Sequence, residues 1–410
     1  MSNFTVPPKR FPLLILLAGS QLWGQQRPSV VATGLQGPQK IVLTSGGNLL
    51  VSETSTATNS GRVSFVSRAG VRTSLLESLP SGTEVTGGGS GPTAMAIRDR
   101  TLYLAIGGGD TERTVPNSAA RQFNPAGASS PIFDTILELR FSRDLDTPQG
   151  PFRMTPQHQA TLNDGGEIDI AGDGGSSVRI ALLARFPVAE VAPALLLYRF
   201  ANPWGLALSP DGKDLYVSDG SADLVSKIDT ATGRWKRLSR FAGIPNPTPV
   251  GPPVGDAVPT SVRIYGNQLL VSFLTGFPFA PGNARVLAVN QDGTTEPFIY
   301  NLTSATDILV RTRPNGKLQF FVLEFSANQS ASPAPPGRLL SYDTPVPEVL
   351  AAGLITPVSL AYDASNQELY ILELRGQILR LPLNFTPAPR PKESGAARAP
   401  GAGVAFSAQP

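Results

Sequence analysis

The chain contains no cysteine and a single histidine, His158, among 410 residues. The first absence removes disulfides, thiolate catalysis and cysteine-ligated zinc or iron–sulfur centres. The second leaves one imidazole for any acid–base role, and it stands in a Pro/Gln-rich stretch far from any nucleophile-elbow motif. Charge is also scarce. Only 16% of residues are Asp, Glu, Lys or Arg, with a net charge of +3, which argues against a coiled coil, a charged disordered chain or a nucleic-acid track. The densest basic run, Arg234-Trp235-Lys236-Arg237, fits an outer strand whose positive charges discourage edge-to-edge pairing. No apolar run reaches the ~20 residues of a membrane span. Ile180 to Tyr198 is interrupted by Arg185, Pro187, Glu190 and Pro193.

What the chain has instead is turn chemistry: 41 glycines and 39 prolines, spread as many short strands require. Its first residues read as an export signal. Lys9 and Arg10 precede the apolar stretch Phe11 to Ala18, and small residues follow at Gly19, Ser20 and Gly24. Residues 1–24 are therefore expected to be a signal peptide and the protein to be secreted or periplasmic. Cleavage near Ser20 is the other choice. From Pro387 onward the Pro-, Ala- and Gly-rich sequence predicts a disordered tail at 386–410.

Internal repetition is the dominant signal between these ends. One apolar strand recurs as Leu49-Leu50-Val51-Ser52-Glu53, Leu102-Tyr103-Leu104-Ala105, Leu215-Tyr216-Val217-Ser218-Asp219, Leu269-Leu270-Val271-Ser272, Leu318-Gln319-Phe320-Phe321-Val322 and Leu369-Tyr370-Ile371-Leu372-Glu373. The leading leucines are 53, 113, 54, 49 and 51 residues apart. Before each copy comes a strand opened in most cases by proline (Pro38, Pro92, Pro203, Pro259, Pro357), with Ala305 in the fifth. After it comes an alternating strand such as Arg285-Val286-Leu287-Ala288-Val289, and in most copies a fourth. Four strands in about 50 residues, repeated, is the sequence form of a propeller blade.

The expected fold is all-β: a six-bladed propeller of four-stranded antiparallel blades over residues 27–385. The doubled interval then requires an insertion at about 107–180 in the second blade; a seventh blade near residue 150 is the alternative, although that region lacks the Leu-x-Val strand. The last copy stops after three strands, and Ser29-Val30-Val31-Ala32-Thr33-Gly34-Leu35 resembles the fourth-strand ending Val349 to Leu354. The N-terminal strand is therefore expected to complete the sixth blade and close the ring, leaving no unpaired edges there.

Val258-Pro259-Thr260-Ser261-Val262, the segment Leu274-Thr275-Gly276-Phe277-Pro278-Phe279-Ala280-Pro281-Gly282-Asn283-Ala284-Arg285-Val286, and Asn202-Pro203-Trp204-Gly205-Leu206 together resemble the ScyD/ScyE family of exported bacterial propellers. The resemblance runs over most of residues 30–383 and implies fold and export more than any activity. Asn202 to Asp219 is also similar to a blade of the gluconolactonase group, whose members hold a divalent cation at the channel mouth through Glu, two Asn and Asp. Here Gln39-Lys40 stands where the Glu belongs, and Asn202 alone matches.

Candidate sites follow from these readings. Innermost-strand residues converge on the axis of a propeller, which makes Lys40, Thr93, Asn202, Thr260 and Asp307 candidate channel-binding residues. Asp307 is distinctive because other blades carry small or apolar residues there. Asp164, Glu167, Asp169 and Asp173, four carboxylates among glycines, are candidate calcium ligands, against a solvated acidic loop. Gly87-Gly88-Gly89 and Gly107-Gly108-Gly109 lack the Lys-Ser/Thr of a phosphate loop and read as turns. Phe277-Pro278-Phe279 reads as a stiff loop that either plugs an inter-blade gap or, exposed, meets a partner. No catalytic residue or resident cofactor is expected, with calcium the one cation weighed. The favoured function is a non-catalytic, monomeric binding or scaffold propeller for an extracellular ligand or protein. A metal-dependent lactonase is the alternative.

Overall fold

The computed structural model describes residues 27–117, 121–186 and 201–383. It is a six-bladed β-propeller, and in each blade the first three strands pair antiparallel and run outward from the axis in chain order. The innermost strands are Pro38–Leu43, Pro92–Arg98, Pro203–Leu208, Pro259–Tyr265, Ala305–Thr312 and Pro357–Asp363. The N-terminal strand Ser29–Ala32 pairs with Gln377–Pro382, Val30 opposite Leu379, and supplies the outermost strand of the sixth blade. The ring is thus closed by joining the two ends of the described chain inside one sheet. The expected export signal and tail lie outside the described residues.

The recurring strand found in the sequence is the second strand of each blade. Leu49–Glu53 is buried at every position, and each of the other five second strands carries one incompletely buried residue, at its start. Both faces of this strand pack against neighbouring blades, so its centre is a continuous apolar run instead of an alternating one. Successive side chains feed opposite seams. Leu50 packs with Met95, Leu102 and Leu104 of blade 2, whereas Leu49 and Val51 pack with Tyr370 and Leu372 of blade 6. Each of the six seams carries its own apolar cluster among the described residues. Outermost strands mix buried and exposed positions instead, and Trp235, Lys236 and Arg237 of the basic run fall on that of blade 3, Trp235–Arg240.

Two small residues permit the blades to approach. Gly61 and Gly337 each open a third strand, and a Cβ on either would lie 2.5 Å from Cδ of the proline that begins the next blade, Pro92 or Pro357. The recurring prolines therefore act both as strand openers and as packing partners across the seam.

The doubled interval resolves into two excursions of blade 2. Residues 107–134 connect its second strand, Thr101–Ile106, to its third, Thr135–Phe141; residues 142–176 lead on to its fourth, Ser177–Arg185. The second excursion leaves its own blade. Asp146 accepts hydrogen bonds from Ser45 Oγ (2.7 Å), the Gly46 amide (2.6 Å), Asn48 Nδ2 (3.1 Å) and Thr44 Oγ1 in the first hairpin of blade 1. Phe152 and Arg153 then add in parallel to the outer strand of blade 1 at Leu76 and Glu77. A short helix, Pro156–Asn163, follows, and Ile168–Ala171 returns as a fifth strand of blade 2. Phe152, Met154, Leu162, Ile168 and Ile170 are buried with Leu75, Leu76 and Leu79. This insertion buttresses blade 1 and covers its outer edge.

Candidate functional site

The axis is lined by the innermost strands, and hydroxyl side chains there stitch one blade to the next. Thr93 Oγ1 donates to the Pro203 carbonyl, joining blades 2 and 3. Thr260 Oγ1 donates to the Ala305 carbonyl (2.9 Å) and Thr306 Oγ1 to the Pro357 carbonyl (3.1 Å), joining blades 4, 5 and 6. Ser52 Oγ donates to the Thr93 carbonyl (2.6 Å), and Ser359 Oγ accepts from the Ile41 amide (3.4 Å). At the remaining seam Trp204 replaces threonine and Gly205 lies against blade 4, where a Cβ would stand 2.9 Å from the Val262 nitrogen. Thr93 and Thr260, expected to face a ligand, are thus buried with their hydroxyls engaged across seams.

Asp307 is the centre of the lining and is fully buried. Its Oδ1 accepts from Ser261 Oγ (2.6 Å), Arg263 Nε (3.2 Å) and the Ile308 amide (2.9 Å). Its Oδ2 accepts from Arg263 Nη2 (2.7 Å), Ser359 Oγ (3.2 Å) and the Leu360 amide (2.9 Å). Burial opposes ionisation, but the Arg263 and Lys40 charges and these donors outweigh it, so the carboxyl is held down at about 2. Arg263 also donates to the Leu360 carbonyl (2.9 Å), so it reaches from blade 4 past blade 5 to blade 6 while 29% of its side chain stays exposed. One carboxylate thereby fastens three blades.

Lys40 stands in the same field and has no such satisfaction. It is 5% exposed, and its ammonium makes no hydrogen bond among the described residues. Burial pushes it down from 10.5 to about 8; Asp307 pulls it up and Arg263 pushes it further down. Trp204 Nε1, on the innermost strand of blade 3, is likewise buried without an acceptor. The unmet groups of these two strands are donors.

Asn202 lies apart from this cluster, where the chain enters blade 3. Its amide donates to Asp219 Oδ1 (3.0 Å). Asp219 belongs to a recurring set: Glu53, Asp219, Glu324 and Glu373 each end a second strand, are buried, and accept from the amide of Gln36, Asn202, Thr303 or Ile355 just ahead of the innermost strand. Burial raises Asp219, Glu324 and Glu373. These acids act as caps on the incoming loop.

The acidic cluster of the insertion does not converge. Asp169 faces Arg179 across a strand pair and takes a bidentate ion pair from it (3.0 and 2.9 Å), with Glu167 3.9 Å away from the same guanidinium. Asp164 caps the end of the helix, and Asp173 begins a single 3-10 turn. Among the described residues no group of three or more His, Asp or Glu could hold a metal ion. Arg179 lies six residues beyond the cluster and reaches it only because the strands pair. His158 sits at the third position of the helix and closes its N-terminus: Nδ1 accepts the Thr155 amide (3.2 Å), and its own amide donates to Thr155 Oγ1 (3.2 Å).

The Phe277 loop divides between the two roles weighed for it. Pro278 and Ala280 are buried, while Phe277 is 54% exposed beside Gly251 and near the exposed Val250 and Val254. The glycine triplets form turns and short pairings around the entrance to blade 2.

Sequence reasoning singled out Lys40 and Asp307 but missed Arg263, Ser261 and Ser359. The signal was present: with the six prolines or their alanine equivalent aligned, Ser261 and Ser359 share the third position with Lys40 and Asp307. Arg263 is the one charged residue at the fifth.

No protein-family model matches the chain, and no curated protein matches it. Several solved structures are similar to it over most of its length. A Bacteroides thetaiotaomicron protein of unknown function is 10% identical at a TM-score of 0.46, over 87% of this chain and 72% of its own. An auxiliary nutrient binding protein from Bacteroides thetaiotaomicron is 7% identical at 0.44, over 85% and 69%. A Trypanosoma rangeli sialidase is 11% identical at 0.46, over 85% and 53%. At such identities and TM-scores the likeness says nothing about activity. No helix among the described residues is long and apolar enough to cross a membrane.

Proposed function

We propose that this chain is an exported, non-catalytic propeller of the ScyD/ScyE type that engages an extracellular ligand or protein through its channel or its loops. The observation that carries this reading is the state of Asp307. The acid of the channel lining has six donors on two oxygens. A general base needs a lone pair free to take a proton and a pKa near the working pH. Asp307 has neither. The histidine that could substitute for it is spent on a helix cap. The remaining features suit recognition: cationic groups on the axis, and exposed Phe277 with Val250 and Val254 on loops joining and topping blades 3 and 4. Export is supported by the basic and apolar opening of residues 9–18, and the family assignment by the segments around Asn202, Thr260 and Phe277.

The test pairs two assays on purified protein. A panel of γ- and δ-lactones is offered with calcium, zinc or manganese supplied, and thermal shift is followed against anionic and neutral small molecules and extracellular polysaccharides. The expected result is no metal-dependent turnover and at least one saturable shift. Metal-dependent turnover abolished by Asn202→Ala would overturn the reading in favour of a lactonase.

A further inference from the structure

We infer that the channel contains a binding site for a small monovalent anion, held between the Lys40 ammonium and the Arg263 guanidinium. The inference names a ligand class for the channel reading above and rests on the channel being a place of binding.

The charge inventory comes first. Lys40 and Arg263 bring two positive charges to the axis, and Asp307 brings one negative charge. Asp307 cannot serve both cations equally. Its oxygens are filled by Arg263, two serines and two amides, and Lys40 makes no hydrogen bond or ion pair with it. An ammonium at 5% exposure without an acceptor is an expensive group to retain. Buried polar groups in native proteins have partners, and one that lacks a protein partner points to a bound ion or water.

The missing partner must be an acceptor. A cation is excluded by the net positive charge, and a neutral ligand would leave that charge uncompensated. Trp204 Nε1, a second buried donor without an acceptor, lies on another innermost strand. Arg263, with 29% of its side chain exposed, is the solvent-facing member of the pair. Lys40 lies deeper, so the occupant is small: a halide, or the carboxylate of a slender acid. Lys40 lies low for a lysine because burial dominates. A bound anion supplies the field that keeps it protonated.

Bromide is the probe. Crystals of the full chain grown without halide are soaked in bromide, and anomalous density is sought between Lys40 and Arg263. In parallel, melting temperature is followed as bromide rises to about 500 mM, with sulfate at matched ionic strength as control, for the wild type and Lys40→Met. The expected outcome is a channel peak, and a bromide-specific rise of about 2–4 °C that Lys40→Met loses. Displacement of the peak by chloride assigns an inorganic ion; displacement by acetate and not chloride assigns a ligand's carboxylate. A channel without bromide density overturns the inference, whatever the melting curves show. If Lys40→Met does not fold, the wild-type derivative still decides. Failure of this site leaves recognition through the loops standing, whereas metal-dependent lactone turnover would remove the binding reading and leave a bromide peak unaffected.

Discussion

Lys40→Met should stabilise the protein when no halide is present. Methionine keeps the unbranched stem that packs in the channel and removes the ammonium. Lys40 lies at about 8 instead of 10.5; at about 1.4 kcal/mol per tenfold change, the folded state carries a penalty of about 3 kcal/mol on the charged form. That value already includes the attraction of Asp307, so removing the charge relieves the net penalty as it stands. The expectation is about 3 kcal/mol of added stability at pH 7, or about 4 °C for a domain of this size. The sign of the pH dependence gives a second reading. Between pH 8 and 10.5 the unfolded chain holds a proton on Lys40 that the folded chain has released, so the wild type gains stability with rising pH across that window. Lys40→Met lacks this contribution, and its advantage should shrink toward pH 10.5. The measurement is chemical denaturation of both proteins at pH 7, 8, 9 and 10 in a zwitterionic buffer. A variant less stable than the wild type at pH 7, or an advantage that does not change with pH, would refute the reasoning.

Other parts of the structure give further expectations. Asp307→Asn leaves Arg263 and Lys40 without their carboxylate and should cost about 3–5 kcal/mol in urea denaturation, with the wild type losing the corresponding stability as pH falls from about 4 toward 2. A cost under 1 kcal/mol would mean that the six hydrogen bonds contribute little. Deleting residues 27–36 removes the outermost strand of blade 6 and the buried Ala32 and Leu35. It should lower stability by at least about 3 kcal/mol and expose an edge prone to association, seen by calorimetry and light scattering; an unchanged melting temperature contradicts closure by this strand. Gly337→Ala sets a methyl against Pro357 and the Glu324 carbonyl and should destabilise by about 1–3 kcal/mol. Alanine at the exposed Gly266, where nothing lies within 4 Å, carries only the cost of its positive φ and serves as control.

The blade count and ring closure were legible because they rest on local rules. A strand packed on both faces must be apolar along its length, so Leu49 to Glu53 and its five repeats announce themselves at a fixed spacing. Prolines mark the strand before it, and an orphan fourth strand at residues 29–35 has one vacancy to fill. The third strand of blade 2, Thr135–Phe141, was hidden within the expected insertion. The chain leaves the blade on either side of it, and periodicity alone does not show which detour returns.

The site was legible only in its anomalies. Lys40 and Asp307 stood out as charged residues on strands that are otherwise small or apolar. The sequence by itself could not say that they share a field, because they are separated by more than 260 residues and meet only when the ring closes. Nor could it separate a ligand-facing threonine from one that bonds the next blade: Thr93, Thr260 and Thr306 each donate to the carbonyl that opens the next innermost strand, a partner supplied only by the packing of adjacent blades. The apolar repeat determined the architecture, since burial of a strand is a property of its own residues. The charge balance of the channel was decided by the tertiary structure, since electrostatics depends on distance through space. Around the axis that distance brings together Asp307, Arg263 and a lysine whose ammonium has no hydrogen-bond partner among the described residues.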